Sequence, residues 1–147
     1  MEFLKILVPV VGTEADHQAL EVACKLIDKK AKGKISIVHV ITVERTLAID
    51  TELESEIQKA EGVLENMEQL ASEHGCEAES ELFQSRDVGQ AIVDEAAVKK
   101  CDLILIGTTY KVRFGQFSLG DVVPYVLKHA PCHVMLFQYR PTVLEKD

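Results

Sequence analysis

The chain has 147 residues, of which 47% are hydrophobic, and a formal net charge of −8. This length and apolar content predict one folded domain, residues 1–147, and exclude a disordered chain. The acidic balance argues against a nucleic-acid partner, which needs clustered lysine and arginine. No apolar run approaches the roughly 20 residues that span a bilayer. Glu2 and Lys5 interrupt the N-terminus where a signal peptide needs an apolar region. We therefore expect a cytoplasmic protein that inserts into no membrane.

The four cysteines are scattered along the chain and form no Cys-x-x-Cys motif, so neither a zinc site nor a redox pair is indicated. Each is expected to act as a small buried hydrophobe in a reducing compartment. They are Cys24, Cys76, Cys101 and Cys132.

The chain begins with a predicted strand and helix. Phe3 to Val11 is an apolar, β-branched run that ends at Gly12-Thr13. Thr13 followed by Asp16 is typical of a helix start, and the helix should run to about Lys30. Gly33 is the expected helix stop. The inward-facing residues are expected to be Ala19, Leu20, Ala23, Leu26 and Ile27.

A second strand and a long helix follow. Ile35 to Ile41 predicts a strand, and Thr42 to Asp50 predicts a loop. The next apolar stripe has helical spacing and ends at Gly75. Its members are Leu53, Ile57, Ala60, Leu64, Met67 and Ala71. The opposite face is acidic and is expected to be solvated rather than to bind a metal. It carries Glu52, Glu54, Glu61, Glu65 and Glu68.

The third strand, Cys76 to Gln84, is more polar and so is expected at a sheet edge. Val88 to Lys99 predicts a helix with Val88, Ile92 and Ala96 inward. Leu103 to Ile106, closed by Gly107, is short and apolar, which is typical of a buried strand.

The last third contains a helix between two strands. Gly120 stands at the head of a helical pattern that Pro131 ends. His133 to Phe137 predicts the final strand. A strand, an open loop and a helix N-terminus form an anion site in many α/β proteins, because the first backbone N–H groups of a helix are unpaired. The shared helix face is Leu119, Val122, Val123, Val126 and Leu127.

The stretch from Asp102 to Phe137 resembles the C-terminal third of a universal stress protein domain. In nucleotide-binding members, a glycine ends the fourth strand, a second glycine follows shortly, and a third precedes Ser or Thr. Gly107 and Gly120 match the first and third glycines. Tyr110 stands where the second is expected, and Asp121 replaces the hydroxyl residue. The tail from Val126 to Val134 also follows the family, and the resemblance covers nearly the whole chain.

Strands and helices alternate throughout, which predicts an α/β fold with a doubly wound, mostly parallel five-stranded sheet and helices on both faces. The resemblance implies the strand order 3-2-1-4-5. Strands 1 and 4 are then central neighbours, and ligands bind beyond the carboxyl ends of the strands at such a switch point. The loops that would meet there are Val11-Gly12-Thr13 and Gly107 to Gly120.

The resemblance implies a site for ATP, AMP or another adenine nucleotide in this crevice. Hydroxyl groups of Thr108, Thr109 and Ser118 could donate to phosphate, and Lys111 and Arg113 are the basic residues of the loop. The other implied site residues are Pro9, Val11, Gly12, Val40, Gly107, Gly120 and Asp121.

Three departures from the family pattern weaken this expectation. Val11 stands where binding members carry an aspartate that holds the nucleoside. Tyr110 places a side chain where backbone must approach phosphate. The Asp121 carboxylate would repel phosphate by roughly 1 kcal/mol at 4 Å in water. Alternatively, Ser118 and Asp121 form a capping box that satisfies the same N–H groups.

No catalytic constellation is visible, because the chain lacks a Gly-x-Ser-x-Gly elbow, a Walker motif and a His-x-x-x-His pair. His39, within the second strand, is expected to be a hydrogen-bonded core histidine. We therefore expect a regulatory protein rather than an enzyme.

Two functional hypotheses remain open at this point. The first is a stress-response signalling protein with a weak or atypical adenine-nucleotide site. The second is a nucleotide-independent interaction domain, since Gln84 to Ile92 is similar to stress-protein-like domains attached to some transporters. In either case an apolar edge strand favours pairing, and family members pair there, so we expect a homodimer through His133 to Phe137.

Overall fold

The computed structural model describes residues 2–49, 53–109, 112–113, 116–117 and 120–140. Seven strands and four helices are formed within these ranges. The strands are β1 (Lys5–Pro9), β2 (Lys34–Thr42), β3 (Ala78–Ser85), β4 (Leu103–Thr109), β5 (Val112–Arg113), β6 (Gln116–Phe117) and β7 (His133–Tyr139). The helices are α1 (Glu14–Leu26), α2 (Glu54–Glu73), α3 (Val88–Val98) and α4 (Val122–His129).

Five strands form one sheet in the order β3-β2-β1-β4-β7, and all of its pairings are parallel. This confirms the predicted order 3-2-1-4-5, in which the fifth predicted strand is β7. β1 and β4 are central neighbours, and β3 lies at one edge. Ile6 in β1 lies beside Leu103 in β4. The short β5 and β6 pair antiparallel in a separate hairpin, which the sequence did not predict.

Each face of the sheet carries its own apolar core, as expected for helices on both faces. On one face α1 and α2 cover β1, β2 and β4, and Leu20 and Met67 are fully buried there. On the other face α3 and α4 cover the sheet, with Ile92 and Val126 buried. Among the described residues no helix is both long and apolar enough to cross a membrane.

Asp102, the residue before β4, fastens the beginning of β1. One carboxylate oxygen accepts a hydrogen bond from the backbone N–H of Leu4 at 2.9 Å, and the other accepts from Lys5 at 3.0 Å. The Asp102 backbone N–H also donates to the Lys5 carbonyl at 2.9 Å. The amino ends of the two central strands are therefore held in register by a carboxylate as well as by the sheet.

The first helix is shorter than predicted. It ends at Leu26, and Ile27 is extended and forms a bridge with Phe3. Gly33 is not the helix stop: a β-carbon there would lie 2.8 Å from the Ile27 side chain, so this glycine permits close packing. Leu26 was predicted to face inward but is only partly buried.

The second half also differs from the prediction in three places. β4 continues through Gly107 to Thr109 rather than ending at the glycine. Leu127 was expected on the buried face of α4 but is 49% exposed, because the eight-residue helix packs through Val123 and Val126. The predicted face also included Leu119, which lies outside the described residues.

Three of the four cysteines are buried, and Cys132 is partly buried. Burial raises the pKa of the Cys101 thiol to about 11 and also raises that of Cys24. The predicted acidic face of α2 is exposed at Glu54, Glu61, Glu65 and Glu68, whereas Glu52 lies outside the described residues.

Candidate functional site

The predicted crevice lies where β1 and β4 end side by side. Pro9 is the last residue of β1, and the loop to α1 follows it. Gly107, Thr108 and Thr109 form the last part of β4. The fold therefore brings the starts of both predicted loops together at the carboxyl end of the sheet.

One carboxylate organises the loop that follows β1. The side chain of Asp16 is 2% exposed, and a single oxygen, Oδ2, accepts three backbone hydrogen bonds. The donors are Val11 at 2.7 Å, Gly12 at 2.7 Å and Thr13 at 2.9 Å. Thr13 completes a capping box, because its hydroxyl accepts from the Asp16 N–H. The chain thus supplies its own anion to this loop.

The remaining side chains of the loop face water. Val11 is 66% exposed, so it presents an apolar group rather than a carboxylate at the rim. Gly12 has a φ of +99°, a conformation that favours glycine, and a β-carbon there would lie 3.0 Å from Val63 of α2. Its place is explained by the turn and by the nearby helix.

Gly107 has a packing role that the sequence did not reveal. A β-carbon at this position would lie 2.3 Å from the carbonyl oxygen of Ala15 in the first turn of α1. The absence of a side chain lets α1 pass directly over β4. Gly107 is therefore required by the contact between strand and helix, whether or not a ligand approaches it.

The head of α4 differs from the head of α1. Asp121 is the N-cap residue, but it is exposed and its side chain makes no capping hydrogen bond. The predicted capping box pairs Asp121 with Ser118, which lies outside the described residues. Gly120 has a φ of +73°, and within the described part of the chain no atom lies within 4 Å of where its β-carbon would be. Tyr110 and Lys111 also lie outside the described residues, and only the backbone of Arg113 is described.

A cavity of about 530 Å³ opens beside the crevice at the carboxyl end of β2. It was not predicted, although the predicted site residue Val40 lines it. Two carboxylates, of Glu44 and Glu56, and the ring of His39 also face it. The other lining residues are Ile41, Thr42, Leu47 and Leu53.

His39 is not the hydrogen-bonded core histidine that was predicted. Its Nδ1 atom is buried and has no hydrogen-bond partner among the described residues. Burial lowers the pKa of the imidazole, and the nearby carboxylates of Asp16 and Glu56 oppose this shift. The ring therefore carries one unused polar atom at the wall of the cavity.

The sequence partly predicted how Asp16 organises the loop after β1. The Thr13-x-x-Asp16 spacing predicted a helix start, but not that Asp16 also binds the two preceding amides. The cavity could not be located from sequence, because its walls come from β2 and from the start of α2.

Comparison with known proteins identifies close similarity in sequence and in fold. Residues 2–138 match the model of the universal stress protein family. The universal stress protein MJ0531 of Methanocaldococcus jannaschii is 30% identical over 140 residues, which cover 91% of this chain and 81% of that protein.

Two solved structures have the same fold at lower identity. The Archaeoglobus fulgidus universal stress protein in complex with dAMP has a TM-score of 0.71 and 20% identity, over 92% of this chain and 98% of that one. An Arabidopsis thaliana universal stress protein family protein with AMP bound has a TM-score of 0.66 and 21% identity, over 97% and 99% of the two chains.

Proposed function

Because the chain belongs to the universal stress protein family, we propose that it is a cytoplasmic regulatory protein that binds an adenine nucleotide weakly at the crevice between β1 and β4. We propose binding rather than catalysis as its role. The shared fold supports this, together with the dAMP and AMP that occupy two structural relatives.

The observation that carries the proposal is the difference between the heads of α4 and α1. This helix starts in the crevice with no side-chain cap from Asp121, and among the described residues no atom beyond its chain neighbours lies within 4 Å of a β-carbon placed at Gly120. Unpaired N–H groups at a helix N-terminus bind phosphate. A phosphate is therefore expected at α4 rather than at α1, whose loop amides are occupied by Asp16.

The cavity at the end of β2 has the size and chemistry for the nucleoside part. Its volume of about 530 Å³ falls within the range of small-ligand pockets. The carboxylates of Glu44 and Glu56 can accept hydrogen bonds from sugar hydroxyls or a base amine. The ring of His39 also lines the cavity.

The residues at the rim of the crevice predict that ATP binds weakly. Val11 offers no acceptor to the nucleoside, a loss of about 1 kcal/mol or more. Asp121 places a negative charge beside the expected phosphate. We therefore expect a dissociation constant for ATP above about 100 μM, which corresponds to roughly −5.5 kcal/mol.

Calorimetric titration with ATP, AMP and cyclic dinucleotides tests the proposal. The triple variant Val11→Asp, Tyr110→Gly, Asp121→Ser should bind ATP at least about tenfold more tightly, a gain of 1.4 kcal/mol. Glu65→Ser, on the exposed face of α2, removes one charge elsewhere and serves as the control. If the folded triple variant gains nothing over the control, the crevice is not a nucleotide site.

A second candidate is a nucleotide-independent interaction domain, acting through homodimerisation or on a transporter. The supporting observation is β7, which pairs with β4 on one side and forms the edge of the described sheet. Leu136 on this strand is 37% exposed. Exposed apolar edge strands favour pairing with another chain.

Sedimentation at micromolar concentration tests the dimer. Leu136→Lys should shift the protein to monomer, whereas Glu65→Lys on α2 should leave the dimer intact. A wild-type protein that sediments only as monomer contradicts dimerisation through β7.

A further inference from the structure

A second cavity lies at the opposite end of the sheet from the crevice. It has a volume of about 540 Å³ and lies beside the amino ends of β1 and β2, next to the turn that precedes β4. Five lysines line it and a single acid, Glu79, accompanies them. We call it the lysine cavity, after Lys5, Lys32, Lys34, Lys99 and Lys100.

This concentration of positive charge runs against the composition of the chain. The protein has 16 basic and 24 acidic side chains, yet the basic ones dominate this cavity. Like charges brought together repel, and the repulsion is stronger near a protein surface than in bulk water. A cavity lined in this way gains free energy when an anion enters it.

The acidic neighbours neutralise only part of the cluster. The Nζ atom of Lys99 contacts Glu81, and it lies 3.5 Å from carboxylate oxygens of both Glu79 and Glu95. The other four lysines have no carboxylate within ion-pair distance among the described residues. Lys5 donates to the carbonyl of Lys99 at 3.5 Å, which draws its ammonium toward the cavity wall.

Two of the lysines hold a backbone conformation that is unfavourable for them. Lys32 has a φ of +59° and Lys100 a φ of +54°, and within the described part of the chain they are the two non-glycine residues with positive φ. Glycine or asparagine adopts this conformation more easily. Both strained positions carry lysine, and both line the same cavity. At Lys100 the conformation closes the end of α3, where the N–H of Cys101 donates to Ala96 at 2.9 Å and that of Lys100 donates to Ala97 at 3.2 Å.

The walls also include apolar and neutral polar groups. Leu4 and Val98 line the cavity and are 49% and 76% exposed, so each offers apolar surface to a ligand. Ser36, which is 8% exposed, contributes a hydroxyl group. Lysine binds phosphate and carboxylate as a flexible point charge, without the fixed geometry of arginine.

We propose that the lysine cavity binds a small polyanion that carries two or more phosphate or carboxylate groups, with Lys32, Lys34 and Lys100 as its principal charge partners. Its apolar part, where present, lies on Leu4 and Val98. This site is separate from the crevice and does not depend on the nucleotide proposal.

Titration of ¹⁵N-labelled full-length protein with inorganic triphosphate, and separately with citrate, tests the proposal. Amide shifts should saturate at Lys32, Gly33 and Lys100, whereas a shift at Gly120 reports separate binding of phosphate at the crevice. Saturation by triphosphate alone assigns a phosphorylated ligand, and saturation by citrate alone assigns a polycarboxylate. If neither probe saturates these amides below about 10 mM, a Kd equivalent to only about −2.7 kcal/mol, the proposal is wrong.

The double variant Lys32→Asn, Lys100→Asn separates a ligand role from a structural one. Because asparagine tolerates the left-handed conformation, the variant should melt at or above the wild-type temperature. Its affinity for the saturating probe should nevertheless fall at least about tenfold. Lys59→Asn, Lys128→Asn removes the same charge from exposed helix positions and should change affinity by less than about twofold.

An equal loss in both double variants would show nonspecific attraction and overturn the proposal. Lys34→Gln, at the exposed start of β2, provides an independent variant with no change in strained backbone, and it should also weaken binding. Failure of the lysine cavity leaves the nucleotide proposal untouched, because that proposal is tested by the crevice variant Val11→Asp, Tyr110→Gly, Asp121→Ser, which keeps all five lysines.

Discussion

Helices α1 and α4 both begin beyond the carboxyl end of the sheet, yet their starts are stabilised in different ways. At α1 the buried Asp16 carboxylate accepts three loop amides within 2.9 Å, and Thr13 completes a capping box. At α4 the corresponding acid, Asp121, is exposed and makes no side-chain cap. Similar strand–loop–helix units therefore differ in whether the acid at the helix start binds the backbone of its own loop.

The difference shows how one fold can assign separate tasks to equivalent positions. A buried carboxylate with several backbone donors holds its loop in one conformation without any ligand. A helix start at which the N-cap side chain makes no such bond keeps donors that an anion can use. We expect α1 to contribute mainly to stability and α4 mainly to recognition, and the following experiments examine that division.

The largest effect is expected from Asp16→Ala. This variant leaves three loop amides without their charged acceptor and removes half of a capping box, so the free energy of unfolding should fall by about 3 kcal/mol or more. Urea denaturation measures the change. Asp16→Asn keeps one oxygen acceptor and should cost less. A loss below about 0.5 kcal/mol in Asp16→Ala would mean that the loop is held by other contacts.

The two matched glycines provide the next comparison. Gly107→Ala places a methyl group against the Ala15 carbonyl, and shifting this backbone should cost about 2 kcal/mol. The methyl group of Gly120→Ala would contact no neighbour among the described residues. The free energy of unfolding should therefore fall by only about 1 kcal/mol, because alanine is unfavourable at positive φ. Thermal unfolding of both variants checks the order. A reversed order would show that the head of α4 is the more tightly packed start.

A smaller effect on stability is expected from Asp121→Ser. Because this side chain is exposed and makes no cap, the free energy of unfolding should change by less than about 0.5 kcal/mol. ATP affinity should improve more than adenosine affinity, since the removed charge acts on phosphate. Calorimetry with both ligands measures the difference, and equal gains would contradict a phosphate at α4.

The smallest effect is a pH dependence linked to His39. Its pKa is lowered in the folded protein, so the unfolded chain binds the proton more readily. The contribution is complete above the unfolded pKa of about 6.5 and is lost as pH falls through the lower, folded value.

NMR titration of His39 follows this directly. Asp16 favours the charged imidazole, so Asp16→Asn should lower the His39 pKa further. A His39 pKa at or above about 6.5 in the wild-type protein would contradict the shift.

Local periodicity predicted the alternation of strands and helices, whereas the strand order was implied by the family resemblance and not by periodicity. The sequence also placed the α1 capping box, whose residues are three positions apart. It predicted Gly33 as a helix stop, whereas this glycine packs against Ile27, and it did not reveal that Gly107 packs against Ala15, which is distant in sequence. Leu127 was misplaced because α4 is too short to bury its whole apolar stripe.

The lysine cavity was beyond prediction for the same physical reason. Lys32 and Lys100 belong to different turns and come together only when β1 lies between β2 and β4. Charge counts show the excess of acid but not where the basic residues gather.

The hydrogen bonds from Leu4 and Lys5 to the Asp102 carboxylate have a consequence for folding during synthesis. These hydrogen bonds join positions 98 and 97 residues apart. A ribosome adds about 5–20 residues per second, so the emerging β1 waits on the order of 5–20 s for its second neighbour. From the emergence of β2 until the emergence of β4, this apolar central strand has a partner on one side only. The sheet is therefore completed late in synthesis. Until then β1 is the segment to which chaperones are most expected to bind.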